Sequence, residues 1–130
     1  MESICQFALF AERVALGDAG LDIEGVHSEA ILSGFPRRAE GGFTKHEFKL
    51  FIGIYADAGQ HTLSVALPPT KRIASVTFDI EPHHNNQLVL EVGAAFPMII
   101  AKSINRYPLL LDGEPFGEAH MRSIPEYDPN

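Results

Sequence analysis

The stretch FKLFIGIYADAGQHTLSVALPPTKRIASVTFDIEPHHNNQLVL, residues 48–90, decides the fold. Apolar side chains return in it at every second position: Phe48, Leu50, Ile52 and Ile54, then Leu63, Val65 and Leu67, then Ala74, Val76, Phe78 and Ile80, then Leu88 and Leu90. Successive residues of an extended chain point to opposite faces, so each run offers one flank to a core and the other to water or a partner. Turn residues close the runs at Asp57-Ala58-Gly59, at Pro68-Pro69, which cannot donate to a ladder, and at EPHHNN, residues 81–86. Half-buried antiparallel β-structure follows.

Outward from this centre the signals continue. Residues 5–14 alternate around Ala11, Glu12 and Arg13, which predicts a strand with a bend or bulge, and Gly17-Asp18-Ala19-Gly20 supplies a reversal into a return strand from Leu21. Residues 26–34 continue that strand or form a short one after a bulge at Gly25. A helix over SEAIL, residues 28–32, has a Ser cap but too few residues to sustain it. Phe35-Pro36 ends the segment, because the residue before proline is pushed out of the α region, and residues 37–42 read as a polar loop. Residues 93–105, interrupted by Pro97, fit an edge strand or a one-turn helix. Asp112-Gly113 between apolar runs predicts the last hairpin, and residues 125–130 read as a C-terminal tail. The turn spacing predicts an all-β chain, a single antiparallel β-sandwich of about seven to nine strands with Ig-like or similar Greek-key topology, filling residues 1–124.

Size and charge narrow the function. A chain of 130 residues and 14.3 kDa suits one domain with one core. Seventeen acidic against ten basic side chains, a formal charge of -7, repel phosphate and argue against nucleic acid as a partner. Cys5 is the one cysteine, so no disulfide and no CxxC motif is available, and it reads as a small buried hydrophobe. The opening MESICQFALFAERVALG carries Glu2 where a targeting segment has bases and is broken by Glu12 and Arg13, and no apolar run reaches the length of a membrane span. A cytoplasmic protein without a membrane partner is expected.

Short motifs follow one another in a definite order: the first strand, residues 6–14, the Gly/Asp reversal at 17–20, IEGVH at residues 23–27 leading on to Phe35-Pro36, then GQHTLSV at 59–65 and RYPLLLDG at 106–113. In that order the chain resembles a family of small bacterial and phage-associated β-sandwich proteins of unknown function. Residues 93–103 depart from the pattern. The resemblance implies a β-sandwich fold and lends no catalytic residue.

Candidate chemistry centres on six histidines. Alternation sets Asp79 and Glu81 on the solvent side of one strand beside His83 and His84, a set of ligand types suited to a divalent ion, with His27 or His61 as a third imidazole from elsewhere. The bland alternative is a solvated polar turn. His61 shares parity with Leu63 and Val65, which predicts a hydrogen-bonded histidine at the core edge, and His120 receives no role. His27-Ser28-Glu29 cannot form a triad alone, since neighbours on a strand face opposite ways, and no G-x-S-x-G elbow occurs. Gly41-Gly42 lacks the Lys-Ser/Thr of a phosphate loop, so no nucleotide cofactor is implied, and no other cofactor is expected.

The outward parity of the longest strand holds Lys49, Phe51, Gly53 and Tyr55, and Val89 lies outward on its own strand. Two readings stand: an exposed apolar patch serving an interface, with Phe96 and Met98 joining it, or a face covered by residues 96–100 of the same chain. The reading taken forward is a non-enzymatic interaction module acting through Phe51, Tyr55, Val89, Phe96 and Met98, as a homodimer or with another protein. The alternative is a metal-dependent hydrolase using Asp79, Glu81, His83 and His84.

Overall fold

A computed structural model of the chain describes residues 2–17 and 20–129, and Asp18 and Ala19 at the expected reversal lie outside them. The chain is all-β. The described strands are β1 (Ile4–Phe10), β2 (Arg13–Gly17), β3 (Gly20–Glu24), β4 (Glu29–Phe35), β5 (Phe43–Tyr55), β6 (Gly59–Ala66), β7 (Ile73–Ile80), β8 (Gln87–Ile99), β9 (Ser103–Leu111) and β10 (Glu114–Tyr127). They form three sheets, ordered β1-β5-β8, β4-β10-β9-β6-β7 and β2-β3.

The two-residue period builds the interior. Leu50, Ile52 and Ile54 of β5 are fully buried in one cluster with Leu63 and Val65 of β6, Ile80 of β7 and Leu109 of β9. Phe10, Phe96 and Tyr107, from β1, β8 and β9, meet edge to face with ring centroids 4.9, 5.2 and 5.8 Å apart, tying the two larger sheets together. Tyr107 donates its hydroxyl to the Pro97 carbonyl, so the buried phenol is satisfied, and burial raises its pKa.

Several expectations are corrected here. Ten described strands in three sheets replace the seven to nine of a single sandwich. The cause lies at Ala11 and Glu12: Ala11 is buried, its N–H reaches the Lys49 carbonyl, and the chain then leaves the β1 sheet to form the β2-β3 ribbon. Nor is the pairing wholly antiparallel, because β4 runs parallel to β10 from Glu29 opposite Arg122 to Phe35 opposite Tyr127. Residues 125–127 are therefore strand and not tail. Two expectations hold: residues 29–35 are strand, the SEAIL run being too short for a helix, and of the two readings of the Pro97 region the edge strand is the one found, with β8 running unbroken through Pro97 at the edge of its sheet, where a missing N–H is tolerated.

The turns collect at two ends. At one, Ala56 N–H donates to the Asn86 carbonyl at 2.9 Å, Asn86 Nδ2 returns a bond to the Ala56 carbonyl at 3.0 Å, and Asp112 N–H donates to Thr62 at 2.8 Å. The first two bonds join the β5-β6 and β7-β8 turns, and the third ties the β9-β10 turn to β6. At the other, Gly41 N–H donates to Ile100 at 3.0 Å and Ile100 N–H donates to Gly42 at 2.8 Å, which fastens the loop before β5 to the β8-β9 turn.

Candidate functional site

The second end exposes large apolar side chains together. Phe43 opposes Ile99 in register, and Ile99 shares a shallow groove of about 200 Å³ with Ile104, Pro68 and Pro69. Phe43 is 47% exposed, Ile99 37%, Ile104 52% and nearby Ile73 59%, values that leave half-buried hydrophobes grouped where isolated ones would be ordinary. Exposed bases stand in the same loops and strand ends: Arg37, Arg38, Lys45, Lys71, Arg72 and Lys102.

Two buried polar residues fix this surface. Asn105 accepts from Ile99 N–H and donates Nδ2 to the Met121 carbonyl, both at 2.9 Å. Ser123, fully buried, aims its hydroxyl at the Ile99 and Ala101 carbonyls, 3.0 and 2.8 Å away. The β8-β9 turn is thus pinned from inside, so the Ile99 and Ile104 side chains sit on a rigid support. Sequence reading missed this surface, although parity carries its signal: Ile104 alternates with buried Asn105 and Tyr107, and Ile99 falls out of step with buried Phe96 and Met98.

The face expected from sequence is not exposed. Phe51 is 4% accessible and Phe96 and Met98 are 0%, which removes them as a contact surface and is a correction. Phe96 and Met98 keep the inward parity of Val92. The outer face at Phe51 is roofed by the ribbon, not by residues 96–100: Val14 lines a cleft with Phe51 and Val89, and Leu21 lines another with Phe7 and Val89. Tyr55 and Val89 remain half-buried.

The proposed metal turn does not assemble. The His83 and His84 rings lie tilted at 49° with centroids 4.2 Å apart, and His84 Nδ1 accepts the Glu81 N–H at 2.9 Å, so one imidazole nitrogen is spent on capping the short turn at Pro82–His84. Among the described residues no group of three or more His, Cys, Asp and Glu side chains is arranged to hold a metal ion, which corrects the set Asp79, Glu81, His83 and His84.

Two other histidines are engaged. His61 faces Asp112 Oδ2 through Nδ1 and the Asp57 carbonyl through Nε2, each at 2.7 Å, with its ring beside Phe78. Burial alone would lower its pKa, but the hydrogen bonds to Asp112 and Asp57 and their charges outweigh it and raise the value. Asp112 is pushed up by burial and more strongly pulled down by its bonds with His61 and the Thr62 N–H. His27 Nε2 lies 2.7 Å from Glu12 Oε1 beside an open groove of about 350 Å³ that Glu47, Phe48, Lys49 and Glu91 also line. The described residues lining that groove include no hydroxyl or thiol nucleophile, and the His27–Glu12 pair is solvent-exposed, a setting in which ion pairs contribute about 0–1 kcal/mol.

Comparison of the chain with protein-family models and with curated proteins finds no match.

Proposed function

We propose that this chain is a cytoplasmic, non-enzymatic interaction module that docks a protein partner through the end bearing Phe43, Ile99 and Ile104, in place of the buried face around Phe51. The single observation that carries the reading is the grouping of those half-exposed hydrophobes on a turn held from beneath by Asn105 and Ser123. A rigid apolar centre with a charged rim is the anatomy of a recognition surface, because desolvation concentrates binding energy in the centre and the rim sets orientation. In keeping with the family resemblance, the two larger sheets are taken as the halves of one β-sandwich whose ends are free for contact.

A photo-crosslinking side chain at position 43, with a second variant carrying it at Ile23 on β3, tests the reading in cells that make the protein. Position 43 gives a discrete protein adduct that Ile104→Asp abolishes, and position 23 gives none. Equal labelling at both positions, or none at 43, overturns it.

A further inference from the structure

Charge is distributed unequally between the two ends of the molecule. The end opposite the apolar surface carries Asp57, Asp79, Glu81, Asp112 and Glu114, all exposed, and residues 55–66, 77–90 and 109–118 contain no Lys or Arg. The apolar end gathers six of the ten basic side chains, Arg37, Arg38, Lys45, Lys71, Arg72 and Lys102, against Glu40, Glu126 and Asp128. A chain of net charge -7 nevertheless has one positive pole.

We propose that the occupant of the apolar, basic end is the acidic end of a second copy, so that copies associate head to tail. This rests on the interaction-module reading and names its partner. Three observations converge on it. The complementary charge is present on the chain itself, at the opposite ends of the same strands. Side-by-side approach brings like charges together, since the excess is negative overall, whereas end-to-end approach places five carboxylates opposite six bases. Ile4, half exposed where β1 pairs with Tyr55 of β5, supplies an apolar side chain at the acidic end to meet the Phe43 group. A head-to-tail contact uses two different patches, so it leaves a free end at each step and continues beyond a dimer unless rotation closes a ring.

The test uses charge-reversed full-length variants, Lys71→Glu with Lys102→Glu and Asp79→Lys with Glu114→Lys, with circular dichroism and melting confirming each fold. Sedimentation velocity of the unaltered chain at low salt gives a mass that climbs with concentration past a dimer, and raising salt from about 30 to about 300 mM weakens association at least roughly tenfold. Each variant alone is a monomer, and an equimolar mixture associates again because the unaltered acidic end of the first variant meets the unaltered basic end of the second. An unaltered chain that stays monomeric at low salt overturns the proposal, as does a mixture that stays monomeric. Binding of the unaltered chain to vesicles of anionic phosphatidylserine, with no self-association, overturns it in favour of a lipid surface. A monomeric chain that still gives the Phe43 crosslink to a different protein overturns self-association and leaves the module reading standing.

Discussion

His61 faces acceptors at both ring nitrogens, the Asp112 carboxylate and the Asp57 carbonyl, and only the imidazolium can donate to both. Its raised pKa has that origin, and the sign for stability follows. Protonated His61 contributes fully below its ordinary value of 6.5, and the contribution fades as pH rises through the higher folded value. The lowered Asp112 works in the other direction, contributing above its ordinary 3.8 and losing its effect as pH falls through the depressed folded value. Between those limits the pair clamps the β9-β10 turn to the start of β6. Because Asp112 is half exposed, solvent screening holds the contribution to about 1 kcal/mol or less. Comparing urea unfolding of the unaltered chain with His61→Gln from pH 4 to 9 tests this: the gap is widest near pH 5 to 6 and narrows toward pH 9. A gap that grows with pH contradicts the clamp. The parity of His61 with Leu63 and Val65 made its place at the core edge legible, but its acceptors come from turns 4 and 51 residues away, which no local pattern could pair.

At the scale of elements, alternation located β6 and β7 because each buries one flank, and β5 because its inward flank is apolar from Phe48 to Ile54, even though residues 50–54 are buried on both flanks. Asp112-Gly113 located the last hairpin, Asp112 at φ 51° and Gly113 at φ 83° giving the left-handed pair that such a two-residue turn needs. Alternation also extends through Leu88, Leu90, Val92, Phe96 and Met98, all on one parity; taking Pro97 as an interruption hid the second half of that strand. The β2-β3 ribbon was legible as a hairpin, but that it roofs the outer face of β5 depends on the sharp departure at Ala11 and Glu12, a tertiary event. Gly53 marks a second contact on that face, made by β1: a Cβ there would lie 2.5 Å from the ring of Phe7, its register partner. Gly53→Ala therefore forces Phe7 outward and lowers stability by about 1–3 kcal/mol in denaturant unfolding. Adding Phe7→Ala removes the clash, so the double variant loses less than the sum of the two single losses. Strict additivity contradicts the contact.

The whole molecule is a polar object: one core, one acidic end and one basic end with an apolar centre. Its fold class could be read from periodicity, but its surface could not, because the bases that meet at the Phe43 end come from segments spread over residues 37–102 and are scattered in sequence. The separation of charge is created by strand topology, which returns every acidic turn to one end. Isoleucine methyl NMR over a dilution series at low salt measures that assignment directly. Ile73, Ile99 and Ile104 at the basic end and Ile4 at the acidic end shift with concentration while Ile23 on β3 holds still. Shifts confined to Ile23, or a spectrum unchanged over the series, would contradict the account.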